Sequence, residues 1–97
     1  MIRRALPQDL EPALRVMARA FAPDVRVNAV APTYIETPLL KNLEGQTGLV
    51  ERWLDLTPAG RMGKPEEIAS IVQFLSSDAS SLMTGSIVTA DAGYTSI

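Results

Sequence analysis

Two short apolar runs, rich in β-branched residues, stand far apart in the chain. The first covers residues 25–31 and ends at Pro32, which cannot donate to a β-ladder, and the second covers residues 84–91. Between them, Pro65-Glu66-Glu67-Ile68 has the composition of a helix start, with proline first and acidic residues in the first turn. Strand, helix and strand in this order predict a parallel βαβ unit, which a tight turn cannot close.

Two apolar stripes at helical spacing predict the long helices. One predicts a helix within residues 1–24, capped at Asp9 and ended by Pro23-Asp24; its apolar positions are Leu10, Leu14, Met17 and Phe21. The other predicts a helix from Pro65 to about Ser77, with a buried stripe of Ile68, Ile71, Val72 and Leu75. Each stripe predicts a face packed on a core.

The connection between residues 38 and 63 predicts two short helices, broken at Gly45-Gln46-Thr47-Gly48. A connection this long inside a compact βαβ unit is typical of a lid over a site. The alternative is a helical insertion that packs against another subunit. Trp53 and Met62 are the lid residues that we predict to contact a substrate, although packing explains them equally well.

Composition narrows the function classes. The chain has 97 residues, a net charge of −2 and scattered basic residues, so one small domain that does not bind nucleic acid is predicted. No apolar run approaches the ~20 residues of a membrane span, and no secretory signal is visible, which favours the cytoplasm. Without cysteine or histidine there is no disulfide, no Cys-His or Ser-His pair and no Cys/His zinc site. We predict no metal site.

Three blocks in order, residues 26–32, 57–69 and 77–95, resemble the C-terminal part of a short-chain dehydrogenase/reductase. We expect residues 1–97 to form a single partial domain, family-like over 13–97 and not over 1–12. The resemblance implies an α/β fold: a partial Rossmann-like unit of a helix and then β-α-β with a lid at about 38–63. It would supply the last two parallel strands of a doubly wound sheet. Residues 50–58 look most like members that oxidise polyols or sugars.

The resemblance also implies a cofactor-binding segment. By this likeness Pro32, Thr33 and Ile35 flank a nicotinamide ring, and Thr37 hydrogen-bonds its carboxamide or a phosphate oxygen. The family usually has glycine at the positions of Thr33 and Ala92. The cofactor of the intact family is NAD or NADP, and the residues that choose between them follow another strand. The substrate stays open as well.

The family's catalytic pair of a tyrosine and, four residues later, a lysine is missing. Pro38 follows Tyr34 at that distance, and the chain ends before the equivalent position after Tyr94. An ungapped extension places Arg3 and Pro7 at the pair. Two glycine pairs lack the triple spacing of a phosphate-binding turn: Gly45 with Gly48, and Gly60 with Gly63. We predict no catalytic residue, no activity and no tight cofactor binding for this chain alone.

Two functions of different classes therefore remain. The first is an incomplete piece of an NAD(P)-dependent oxidoreductase acting on an alcohol or polyol, whether a remnant, a mis-started frame or half of a split enzyme. The second is a non-catalytic interaction or oligomerisation module that docks onto an intact relative through Glu66–Leu75 and Ile87–Ala90, which the resemblance places in subunit contacts. In either case we expect self-association or a related partner subunit. Asp91 is expected to accept backbone hydrogen bonds in the C-terminal turn.

Overall fold

The computed structural model describes residues 7–43 and 48–96 as a partial Rossmann-like α/β unit. Strands β1 and β2 pair in parallel, with Ala29 opposite Ile87 and Pro32 opposite Ala90. The predicted βαβ unit is confirmed. The elements in chain order are α1 (Pro7–Phe21), β1 (Ala29–Pro32), α2 (Pro38–Leu43), α3 (Leu49–Asp55), α4 (Pro65–Ser76), a short 3-10 helix (Asp78–Ser80) and β2 (Ile87–Ala90).

The first strand is shorter than its apolar run, and the predicted start at residue 25 is wrong. Residues 25–28 do not join the ladder, because the chain there bonds to the turn before β2. The Val27 N–H donates to the Thr84 hydroxyl at 3.1 Å, and the Gly85 N–H donates to the Val27 carbonyl at 2.7 Å. The regular ladder begins only at Ala29 and closes with the Thr33 N–H on the Ala90 carbonyl.

Helix α1 differs from its prediction in two respects. It begins at Pro7, so Asp9 lies inside the helix and is not its cap, and residues 1–6 lie outside the described part. Over residues 11–21 of α1 the buried side chains are Leu14 and Ala18, whereas Met17 and Phe21 stay 48% and 51% exposed. The side chain of Leu10, also predicted on the apolar face, lies outside the described ones. The buried face is therefore narrower than the predicted stripe.

The core is small because a two-stranded sheet offers little surface to cover. The buried apolar residues among those described are Leu14, Ala18, Val50 and Met62. Helix α4, which is described in full, has no fully buried side chain, and Val72 is 49% exposed. The stripe predicted as buried on α4 is thus only half covered, with Ile68, Ile71 and Leu75 at intermediate exposure.

Two polar side chains before β1 hold the end of α4 to the sheet. The Arg26 guanidinium donates at 2.9 to 3.2 Å to four carbonyls that follow α4 or end it: Leu75, Ser77, Ser80 and Met83. The Asn28 amide donates to the Met83 carbonyl and accepts the Ser86 N–H, both at 3.0 Å. Carbonyls at a helix end lack intrahelical donors, so the Arg26 guanidinium supplies the N–H groups that bond to them.

Across residues 7–43 and 48–96, no helix combines the length and the apolarity needed to cross a bilayer. The cytoplasmic location stays a prediction.

Candidate functional site

The segment predicted to face the cofactor leaves the carboxyl end of β1. In open parallel sheets this is the edge where ligands bind. Thr33, Ile35 and Thr37 are partly exposed there, and Pro32 is exposed. Among the described residues other than glycine, Ala92 alone has a φ in the left-handed region, so the threonine at position 33 needs no glycine-like backbone. The four predicted residues therefore stand on one accessible edge.

The far end of residues 38–63, which are predicted to form a lid, meets this segment through a short parallel bridge. The Glu36 N–H donates to the Gly63 carbonyl at 2.8 Å, and the Gly63 N–H donates to the Tyr34 carbonyl at 2.9 Å. A Cβ on Gly63 would lie 2.7 Å from the Cδ1 atom of Ile35. Position 63 therefore accepts a larger residue only if the Ile35 side chain moves.

Thr37 lies directly before the predicted lid, at the start of α2. Its hydroxyl oxygen accepts the Leu40 N–H at 3.3 Å, and Pro38 takes the first position of α2. The two short helices predicted within residues 38–63 are confirmed as α2 and α3, although most of the predicted break between them, at residues 44–47, lies outside the described residues. Their role as a lid stays a prediction. Thr37 thus caps a helix, and a hydroxyl that accepts one bond can still donate to a ligand.

Three aromatic side chains meet beside the predicted cofactor segment. The Trp53 ring stacks on the Tyr34 ring with centroids 4.1 Å apart and planes 5° apart. Tyr94 packs edge-on against Tyr34 at 5.7 Å. Tyr34 was not predicted as a site residue, although its place between Thr33 and Ile35 was a signal. This cluster fastens the lid to the segment through Trp53.

The Tyr34 phenol does not have the character of a base. Burial, together with the neighbouring Tyr94, raises the pKa of Tyr34 above its ordinary value of 10.0. The phenol is therefore neutral near pH 7. Met62, the other predicted lid residue, is buried at 8% exposure, and its contact with a substrate stays a prediction.

The C-terminal turn around Asp91 contacts the segment predicted as a lid. The Asp91 carboxylate accepts the N–H groups of Gly93 and Thr95 at 3.0 and 2.9 Å and the Thr95 hydroxyl at 2.6 Å. These bonds, chiefly the one from the Thr95 hydroxyl, lower the pKa of Asp91. The predicted role of Asp91 in this turn is confirmed. The Ala59 N–H donates to the Ala92 carbonyl at 3.0 Å, which joins the turn to the lid.

An ion pair lies where the lid ends. The Arg61 guanidinium donates to both carboxylate oxygens of Glu67, at 2.8 and 2.9 Å. Arg61, followed by the Lys64 N–H, lowers the pKa of Glu67 to about 2. A carboxylate this acidic is ionised at neutral pH and cannot serve as a general acid there. Glu67 is therefore a helix-start and ion-pair residue.

Comparison with known proteins decides the family. The family model described as enoyl-(acyl carrier protein) reductase matches residues 8–95, almost the whole chain. The chain belongs to the short-chain dehydrogenase/reductase family.

Relatives of this short-chain dehydrogenase/reductase include a galactitol 2-dehydrogenase of Rhizobium johnstonii, which is 59% identical over 71 residues. That match covers 73% of this chain and 28% of the relative. Among solved structures, gox2181 superposes with a TM-score of 0.84 at 49% identity, over 93% of this chain and 35% of that one. A putative 2-deoxy-D-gluconate 3-dehydrogenase from Agrobacterium tumefaciens, solved with NADP, superposes with a TM-score of 0.83 at 33% identity. That match covers 93% of this chain and 37% of the other. The chain therefore spans about a third of the length of its relatives.

The cofactor contacts of Pro32, Thr33, Ile35 and Thr37 stay a prediction. The Thr37 hydroxyl lies on the accessible edge of the sheet and keeps a hydrogen to donate. An open groove of about 520 Å³ continues from Thr37 between the starts of α2 and α4. It is lined by Glu36, Thr37, Pro38, Lys41, Lys64, Pro65 and Glu66. Its lysines and glutamates balance, so its charge does not favour a pyrophosphate.

Proposed function

We propose that these residues form the nicotinamide-facing segment and the substrate lid of an NAD(P)-dependent short-chain dehydrogenase/reductase that oxidises a polyol or sugar alcohol to a ketone. The observation that carries the proposal is the backbone bridge between Ile35 and Gly63. It joins the lid to the segment that leaves the carboxyl end of β1. Pro32, Thr33, Ile35 and Thr37 would hold a nicotinamide ring, which would supply the acceptor for the hydride lost by the alcohol carbon.

Each part of the chain has its own task in this proposal. Pro32, Thr33 and Ile35 support one side of the nicotinamide ring, and the Thr37 hydroxyl orients its carboxamide or a phosphate. The stacked pair of Tyr34 and Trp53 excludes water from the substrate side, as lids commonly do. The tyrosine base, its lysine and the pyrophosphate turn have no counterpart in the sequence of this chain.

The polyol assignment rests on the lid. Residues 50–58 resemble polyol-oxidising members, and the galactitol dehydrogenase relative is similar over most of this chain. Trp53 and Met62 are the lid residues that we assign to the substrate side.

A direct assay tests the expected dependence on missing parts. We expect the 97-residue polypeptide to show no dehydrogenase activity with NAD or NADP against galactitol, other polyols and secondary alcohols. By calorimetry its dissociation constant for either dinucleotide should be weaker than roughly 100 μM, about −5.5 kcal/mol. Turnover that follows the chain through purification, or tighter binding, would contradict this expectation.

A positive test uses nicotinamide mononucleotide, the half of the cofactor that this segment is proposed to face. We expect millimolar concentrations to shift the NMR signals of the Thr33, Ile35 and Thr37 amides. Adenosine monophosphate, the other half, is the matched control and should leave them in place. Shifts with neither mononucleotide, or equal shifts with both, would overturn the proposed placement of the ring.

The second candidate function, an interaction module without catalysis, is favoured by the apolar side chains left in solvent on α1 and α4. Val16 and Met17 on α1 are 67% and 48% exposed, and Val72 and Phe74 on α4 are 49% and 43% exposed. Such faces suit a second copy or an intact relative. Co-purification with a full-length relative, without any effect of nicotinamide mononucleotide, would favour this function over the first.

A further inference from the structure

The end of the lid is fixed by a network centred on Arg61. Both terminal nitrogens of its guanidinium donate to the Glu67 carboxylate, and one also donates to the Met62 carbonyl at 3.1 Å. The same carboxylate accepts the Lys64 N–H at 3.0 Å. The loop of residues 61–64 is therefore tied at both ends to the first turn of α4.

Gly63 lies inside this loop and contacts the proposed cofactor segment. Its carbonyl and its N–H bond to the backbone on either side of Ile35, at Glu36 and Tyr34. Its Cα lies so close to Ile35 that an added Cβ would meet the Ile35 side chain at 2.7 Å. A change in the shape of the loop would therefore move Ile35 or break these bonds.

We propose that Arg61 is a positioning residue for the nicotinamide-facing segment. Its ion pair with Glu67 fixes the 61–64 loop, and the loop fixes the place of Ile35 through Gly63. The link to nicotinamide rests on the proposed function, whereas the effect on the backbone does not. The guanidinium suits this task because it binds a carboxylate through two parallel hydrogen bonds, which an ammonium group cannot do.

The effect should be local. The Arg61 and Glu67 side chains are 56% and 45% exposed, and exposed ion pairs contribute little to global stability. A general loss of stability would accelerate hydrogen exchange throughout the sheet, whereas loss of positioning would accelerate it only at the bridge. Amide hydrogen exchange followed by NMR on the whole chain distinguishes a general loss of stability from a loss of positioning.

In Arg61→Gln we expect the Gly63 and Glu36 amides to exchange at least about tenfold faster, while the Ala29 and Thr33 amides of the ladder change less than about threefold. Glu67→Gln should reproduce this pattern, and Arg61→Lys should give a smaller effect. The matched control is Arg52→Gln, since Arg52 forms no ion pair within the described residues.

Equal acceleration of all four amides would overturn the proposal, and so would unchanged exchange at Gly63 and Glu36. Gly63 and Glu36 amides that are already unprotected in the unmodified chain would overturn it too.

Titration with nicotinamide mononucleotide tests whether the Arg61–Glu67 ion pair affects binding at the proposed site. Followed at the Ile35 amide, Arg61→Gln should weaken binding at least about threefold, whereas Arg52→Gln should not change it. Equal affinity in the unmodified and Arg61→Gln chains would overturn the positioning role. If the Ile35 amide does not shift in the unmodified chain while the local exchange effect is present, the proposed function is overturned. The effect of the Arg61–Glu67 ion pair on the backbone then remains supported.

Discussion

At the scale of single residues, Ala92 carries an unusual backbone conformation. Its φ of 55° lies in the left-handed region, where a Cβ crowds the following carbonyl at a cost of about 1–2 kcal/mol. Glycine avoids this cost but loses more entropy on folding. We therefore expect Ala92→Gly to raise the free energy of unfolding by about 0.5–1 kcal/mol, measured by urea denaturation.

The control for this prediction is Ala69→Gly, at an exposed position of α4 with ordinary helical backbone. It should lower the free energy of unfolding by about 1 kcal/mol. If Ala92→Gly destabilised the chain as much as the control does, the left-handed conformation would not cost what we infer.

The Glu67 carboxylate gives a second prediction at this scale, a dependence of stability on pH. Its pKa is lowered from an ordinary 4.5 to about 2 in the folded chain. A lowered native pKa means that the ionised form stabilises the fold above pH 4.5, and that this contribution is lost as the pH falls from about 4.5 to about 2. We expect melting temperatures of Glu67→Gln to approach those of the unmodified chain over this window.

The matched control is Glu66→Gln, which removes a neighbouring exposed carboxylate that forms no ion pair within residues 7–43 and 48–96. Its pH profile should follow that of the unmodified chain. A constant difference between Glu67→Gln and the unmodified chain from neutral pH down to pH 2 would show that the ionisation of Glu67 is not linked to folding.

How far single residues can be predicted from the sequence depends on where their partners lie. Asp91 was predictable because its partners, Gly93 and Thr95, lie in the same turn. Tyr34 was not, since its ring meets Trp53 and Tyr94 from distant parts of the chain. The Asp9 cap failed because helix α1 begins earlier, at Pro7, and a polar residue alone does not fix a helix start.

At the scale of elements, an aromatic pair joins helix α3 to the segment that follows β1. Trp53 is the single tryptophan, and its ring lies 4.1 Å from that of Tyr34. Such pairs contribute about 0.5–1.5 kcal/mol beyond their buried area. We expect Tyr34→Leu to lower the free energy of unfolding by at least this amount and to shift the tryptophan emission to longer wavelength as the indole gains solvent.

Phe74→Leu is the matched control, because Phe74 lies on α4 and is 43% exposed. It should leave the tryptophan emission in place. Identical emission spectra of Tyr34→Leu and the unmodified chain would mean that the stack does not hold the lid helix.

Element types were predictable and their bounds less so. The apolar periodicity and the proline start of α4 predict the right order of α-helices and strands, whereas the 3-10 helix was not predicted. The start of β1 could not be read from its apolar run, since the turn near Thr84 and Gly85 takes the bonds of Val27 away from the ladder. That competition involves residues far apart in sequence, which a local pattern does not contain.

At the scale of the whole molecule, the sheet has two strands and the elements packed on it cover it incompletely. Helix α4 leaves Val72 and Phe74 about half exposed, and α1 does the same with Met17 and Phe21. Parallel sheets are ordinarily covered on both faces. The chain spans only about a third of the length of its relatives.

The last prediction follows from these faces. Burying apolar surface contributes about 25 cal/mol per Å², so we expect self-association once the chain reaches roughly micromolar concentration. Sedimentation velocity should show species larger than a monomer.

Phe21→Glu should weaken the association, because it places a charge on the open face of α1. Leu82→Glu, at a residue 98% exposed that lies outside both helices, is the matched control and should not. A monomer with slow hydrogen exchange across Ala29–Pro32 and Ile87–Ala90 would show that the chain folds stably alone, and that its open apolar faces need no partner.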